Sequence, residues 1–175
     1  QAVNAVKHYW HFIDRRNEKD ESVMGVEGVE VYLNSTGSEE DTRYFRWAWE
    51  ESWEIMSPLN FPEVRSCWQY SQSRGISIST TENLVVNELE NQYLYVIPFT
   101  NNKLAIRYSA LLKQYSTTRD NYIYLTKIQK INEGSGGFFD PIPAGLTSNI
   151  RNVDDPDEPV LGLFEASQVQ SERIF

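Results

Sequence analysis

Apolar and polar side chains alternate with a period of two along much of this chain, the pattern of strands that bury one face. The clearest stretch is residues 43–56. Phe45, Trp47, Trp49, Trp53 and Ile55 fall on one face, and Arg46, Glu50, Ser52 and Glu54 on the other. At about 3.6 residues per turn the rings would scatter around a helix, so the segment reads as a strand. Glu51 interrupts the aromatic face and marks a bulge, an edge or the partner of a buried arginine. Residues 103–115 repeat the pattern, with Leu104, Ile106, Tyr108, Ala110 and Leu112 opposite Arg107, Ser109 and Lys113.

Shorter runs add to these. Val29, Val31 and Leu33 form a strand that ends in the turn-rich cluster 34–37. Residues 93–99 are apolar on both faces and read as an interior strand closed by Pro98. Residues 160–164 follow the breakers Pro156 and Pro159, and 76–79 and 147–153 are weaker strand segments. Residues 3–13 fit either period, and their β-branched and aromatic content favours a strand. One helix stands out near 118–133. Thr117 or Thr118 caps it, Tyr122, Leu125, Ile128 and Ile131 recur along one side, and Gly134 stops it. About eight strands and one inserted helix predict an all-β sandwich of immunoglobulin or fibronectin-III type. At 175 residues the chain reads as a single domain over 1–175, with the helix lying across a sheet edge or an open end.

Composition supports sheet and narrows the function classes. The chain holds 5 Trp, 10 Tyr and 8 Phe, residues that suit half-buried pleated surfaces. A net charge of −9 with no basic cluster argues against binding a phosphate backbone. No apolar run approaches the ~20 residues that span a bilayer as a helix. The single Cys67 forms no intrachain disulfide, and with Trp68 and Tyr70 close by it is expected in the core. The chain starts at Gln1 without an initiator Met or a signal segment, as a processed product or a piece of a longer protein would.

Candidate chemistry is sparse. Glu50 and Glu54 share a strand face, but four residues at ~3.3 Å each place them roughly 13 Å apart. Glycosidases need carboxylates ~5–5.5 Å or ~6.5–9.5 Å apart, so this pair is better read as surface charge paired with Arg43 or Arg46. His8 and His11 would share a metal on a helix but diverge on a strand. With two His, one Cys and no nucleophile elbow, a catalytic triad has few members to draw on. Asp154, Asp155, Asp157 and Glu158 lack an EF-hand pattern and read as a turn between strands. The glycine run 134–137 follows a helix instead of opening one, so it reads as a helix exit and not a phosphate cradle. Asn34-Ser35-Thr36 is a glycosylation sequon, informative only for a chain secreted through an endoplasmic reticulum. The Trp stripe is expected to be core, the alternative being exposed rings that stack on sugars. No catalytic, cofactor or metal residue is singled out, and no cofactor is expected.

Several stretches carry a family resemblance. They are Thr42-Arg-Tyr-Phe-Arg-Trp-Ala-Trp-Glu-Glu-Ser-Trp-Glu-Ile55, Ser79-Thr-Thr-Glu-Asn-Leu84, and Leu104-Ala-Ile-Arg-Tyr-Ser109 running to Gln114-Tyr115. The most specific is Asn149-Ile-Arg-Asn-Val-Asp-Asp-Pro-Asp-Glu-Pro-Val-Leu-Gly162, followed by Phe164-Glu-Ala-Ser167 and Glu172-Arg-Ile-Phe175. From about Val29 to its last residue the chain resembles the C-terminal domain of a domain-of-unknown-function family of Bacteroidota outer-membrane lipoproteins. Genes of that family commonly lie beside those for TonB-dependent receptors. The resemblance implies an outer-membrane or cell-surface location, a preceding immunoglobulin-like domain and a lipid anchor on that missing N-terminal part. It also implies a non-enzymatic role with a TonB-dependent transporter, as a docking or ligand-capturing domain in nutrient uptake. A carbohydrate- or peptide-binding module using exposed Trp and Tyr is the alternative. The family offers no catalytic residues to carry over.

Overall fold

The aromatic alternation at the centre of the chain forms the longest strand of a two-sheet structure. The computed structural model describes residues 4–14, 27–37, 42–56, 66–133, 148–158, 160 and 162–175. Their strands are β1 (Asn4–Asp14), β2 (Glu27–Thr36), β3 (Tyr44–Met56), β4 (Ser66–Gln72), β5 (Ser77–Thr80), β6 (Glu88–Pro98), β7 (Tyr108–Thr117) and β8 (Val169–Ile174), with helix α1 (Arg119–Glu133) after β7. A three-stranded sheet runs β1-β2-β6, and a five-stranded sheet runs β4-β3-β7-β8 with β5 also paired to β3. Every pairing is antiparallel. The domain is a β-sandwich.

The core fills the space between the sheets. Val31 and Leu33 of β2 and Leu89, Tyr95 and Ile97 of β6 meet Phe45 and Trp47 of β3, Tyr108, Ala110 and Leu112 of β7, and Ile174 of β8. Phe45 and Trp47 stack at 6.1 Å, and the Trp47 indole Nε1 donates to Gln114 Oε1 at 2.8 Å. The Trp stripe is thus core for Trp47 and half-buried for Trp49 and Trp53, which pack against the core from its side. Trp49 stacks on Tyr95 of the other sheet at 4.5 Å.

Several elements depart from the pattern reading, each for a local reason. Residues 103–106 form a turn and a bend, and β7 begins only at Tyr108. Asn102 adopts a left-handed φ of 56°, and Asn101 Oδ1 accepts the Lys103 N–H, so main-chain bonds close locally before the ladder starts. The apolar-on-both-faces run in β6 lies at a sheet edge; β2 is the interior strand. β2 continues through the turn-like residues 34–36, where Asn34 Oδ1 accepts the N–H of Asn91. Asn91 itself is left-handed at φ 56°, and it occupies a register irregularity between β2 and β6. Residues 162–164 and 148–153 form no strand. Instead the Asn149 side chain accepts from Phe164 N and donates to Phe164 O, at 2.8 and 2.6 Å, the two bonds a neighbouring strand would make. β4 and β8 carry no buried-face period, because Ser-Cys-Trp-Gln-Tyr-Ser-Gln and Val-Gln-Ser-Glu-Arg-Ile are too polar for one. The remainder of segments 3–13, 147–153 and 160–164, at residues 3, 147 and 161, lies outside the described residues.

Helix α1 is capped by Thr118 Oγ1, which accepts the Asn121 N–H at 3.3 Å. It rests against β3 and β5, with Tyr122 against Tyr44 at 5.3 Å between ring centroids. Tyr44 alternates with Phe45, so the helix covers the face of the sheet turned away from the core, not an edge or an open end. Its stop at Gly134 lies outside the described residues.

Glu165 ties the C-terminal segment to this face. Its Oε2 lies 3.8 Å from Arg46 Nε, and the Arg46 guanidinium sits 4.0 Å above the Tyr115 ring. Burial opposes its charge, but the Ser167 hydroxyl, which donates to it, and the neighbouring polar groups and Arg46 outweigh burial and hold the carboxyl below its ordinary 4.5. A depressed carboxylate stabilises the fold above its unfolded pKa, and that contribution disappears as pH falls through the folded value. Thermal melts should therefore drop below pH 4.5 more steeply for the native chain than for Glu165→Gln. Parallel curves would show that Glu165 makes no such contribution.

Candidate functional site

The residues considered for chemistry do not converge. Glu50 pairs with Lys113, and Glu54 with Arg107 at 3.0 Å, so their cations come from β7 and the turn before it instead of Arg43 or Arg46. Glu54 is buried, not a surface charge. His8 and His11 lie on β1 in register with Leu33 and Glu30. The 154–158 stretch is a turn: Asp155 Oδ1 accepts from Asp157 N, and Glu158 N donates to Asp155 O. Among the described residues around it, 148–153, 160 and 162–168 form no strand, so the turn does not join two strands there. Among the described residues no three His, Cys, Asp or Glu side chains form a metal-holding group. The glycine run 134–137 lies outside the described residues. The sequon sits within β2, with Ser35 buried. Cys67 is exposed on β4, not core, because the three-stranded sheet leaves that strand uncovered.

Glu51 lies in register with Ala110 and Ser71, without a bulge, and its partner is a lysine. Lys103 Nζ donates to Glu51 Oε2 at 2.7 Å, and Tyr108 OH to Oε1 at 2.9 Å. Tyr95 OH lies 3.0 Å from Tyr108 OH, and Lys103 Nζ sits 4.5 Å from the Trp53 ring centre. Burial, then the neighbouring Tyr95 and Glu51, push the Tyr108 phenol far above its usual range, so it stays a neutral donor. Every group in this cluster is engaged with another, which makes it a structural tie between the sheets.

A cleft of about 480 Å³ opens between α1 and residues 148–149 and 163–166. Asp120, Tyr124, Lys127, Ser148 and Phe164 line it, and Glu165 in its wall is held by the Arg46 ion pair.

The surface feature most at odds with water is the loop from β5 to β6. Leu84, Val85 and Val86 are 47%, 101% and 58% exposed, three consecutive apolar side chains at its tip. Its base is fixed. Thr81, fully buried, donates from Oγ1 to Asn87 Oδ1, and its N–H reaches Arg43 O at 2.9 Å. Asn87 Nδ2 donates to Thr42 O at 3.0 Å, and Arg43 Nη1 to Thr81 O at 3.1 Å. Gly37 N donates to Asn87 O, and a Cβ at Gly37 would collide with the Asn87 amide and stand 2.5 Å from Thr42 O. Only glycine admits that approach. Beside the loop, Glu82 is held below its ordinary carboxylate range by the Tyr44 hydroxyl and then by Arg119, 3.2 Å away. A loop held at its base loses less entropy on meeting a partner than a free one would. Sequence reading missed it because three apolar residues in a short loop have no period.

A family model for a domain of unknown function, DUF4249, matches residues 7–173. The chain belongs to the DUF4249 family. The match takes in β1 as well as the region from Val29 onward, and so nearly the whole sandwich. No curated protein and no solved structure matches this DUF4249 chain.

Proposed function

We propose that this DUF4249 domain is a non-enzymatic accessory module of an outer-membrane lipoprotein, docking on a TonB-dependent transporter through the loop at 84–86. The resemblance of its sequence stretches to receptor-associated lipoproteins supports the partner and the location. The observation that carries docking is the exposed apolar tip on a loop whose base is hydrogen-bonded in place. Burying a Leu or Val side chain is worth about 1.5–3 kcal/mol, and three on a preformed loop supply a binding anchor. Attachment to the membrane falls to a lipid anchor N-terminal to this domain; among the described residues no helix is long and apolar enough to cross a membrane.

The test is a detergent pull-down of the full-length lipoprotein from outer membranes, with partners identified by mass spectrometry. Native protein should recover a TonB-dependent receptor in stoichiometric amount, and Val85→Asp should lose it. The substitution faces solvent and should change stability by less than about 0.5 kcal/mol. Recovery of the lipoprotein alone, under conditions where known receptor pairs survive, overturns the reading.

One observation favours a second reading. Trp68 and Tyr70 project from the same face of β4 at 45% and 77% exposure, as in a carbohydrate- or peptide-binding module. Glycan and peptide arrays probed with native and Trp68→Ala protein separate it from docking.

A further inference from the structure

The hydrogen bonds around β3 determine which backbone groups β4 leaves open. Ser73 N donates to Trp49 O, and Glu54 N to Arg107 O. Odd residues of β3 therefore bond towards β4 and even ones towards β7. By the register Glu51↔Ser71, Trp53↔Gln69 and Ile55↔Cys67, those three β4 residues bond inward. Ser66, Trp68, Tyr70 and Gln72 turn their N–H and C=O groups outward, and among the described residues no strand takes them.

This edge lacks the usual guards against strand addition. Folded proteins protect edges with charges, prolines, bulges or short strands. β6 carries Glu88 and Glu90 with two register shifts, β8 carries Glu172 and Arg173, and β5 has only four residues. β1 carries Lys7 and Asp14 with a register shift. β4 has seven residues, no charge, no proline and an unbroken register with β3.

We propose that the outer edge of β4 pairs antiparallel with β4 of a second copy of this chain, joining the two five-stranded sheets into one. Charge selects this occupant at this edge. The molecule carries −9, and two copies of β4 meet without a charged residue of either strand facing the other. The carboxylates of β3 opposite β4, Glu50, Glu51 and Glu54, are already paired with Lys113, Lys103 and Arg107. The strand is also self-complementary. A twofold axis at Gln69 overlaps all seven residues and sets Trp68 against Tyr70 of the second copy, twice, on one face. Ser66 then faces Gln72 of the second copy, and each outward residue enters a hydrogen-bonded pair. Sliding the axis by one residue strands two ends and breaks the Trp–Tyr match. Aromatic cross-strand pairs of this kind stabilise a sheet beyond its backbone bonds. One strand pair lies at the small end of specific interfaces, so a reversible dimer in the micromolar range is expected.

Sedimentation of the intact chain, from low to several hundred micromolar, tests this. The native chain should show a monomer–dimer equilibrium, and Tyr70→Lys should weaken it by about tenfold or more. Tyr70 faces solvent and its N–H points away from β3, so the variant keeps its fold. The register has its own readout. In a Cys67→Ser background, Gln69→Cys should give a disulfide-linked dimer under mild oxidation, because position 69 meets itself across the axis. Lys130→Cys, exposed on α1, should not. A chain that stays monomeric throughout, a dimer indifferent to Tyr70→Lys, or equal cross-linking at both positions overturns the proposal. So does binding of a soluble oligosaccharide that is lost in Trp68→Ala while the chain remains monomeric.

Discussion

Trp47→Ala is expected to destabilise the domain by about 3–5 kcal/mol, a large share of what holds a domain this size together. The ring is 2% exposed and stacks on Phe45, so its removal opens a cavity at the centre of the sandwich. The same change leaves Gln114 Oε1, in a residue itself 2% exposed, without the indole donor. Trp47→Phe separates the two effects. It keeps most of the ring and loses the hydrogen bond, for a cost of about 1–3 kcal/mol. Urea unfolding with an unchanged slope measures both. A loss below about 1 kcal/mol for Trp47→Ala would mean that the two sheets do not close on this ring.

Trp47 was legible beforehand because a buried face leaves a period in the sequence, and β3, β2 and the helix share that property. What escaped was organised by something other than burial on one face. β4 is exposed on both sides, so Cys67 looked like a core member only by the company of Trp68 and Tyr70. Residues 103–106 alternate in hydropathy, yet the left-handed Asn102 turns the chain before it can pair. Ser148 and Asn149 hold residues 162–164 by side-chain bonds to main chain, and such bonds leave no mark in hydropathy. The candidate loop shows the same blindness. Its apolar tip has no period, and its anchors Thr81, Asn87 and Arg43 are up to 44 residues apart along the chain, joined only by the fold. Glu51 was visible as an anomaly, while its partner Lys103 lay inside a segment read as strand.

That anomaly supports the second large effect. Lys103→Met is expected to cost about 3 kcal/mol, because it leaves the Glu51 carboxylate in a site 9% exposed without its cation. Tyr108 still donates to Glu51, and the lysine keeps 18% exposure, which sets the loss at the low end for a broken buried pair. Glu51→Leu alone should also destabilise, since it leaves the Lys103 ammonium and the Tyr108 hydroxyl without their acceptor. The double variant should recover much of either loss, because two apolar side chains beside Trp53 and Tyr95 carry no desolvation cost. A double-mutant cycle would then give a coupling of at least about 1 kcal/mol. Additive losses would mean that Glu51 and Lys103 are each solvated in the folded chain, and the tie from Tyr95 through Tyr108 to Glu51 would no longer account for the buried acid on an aromatic face.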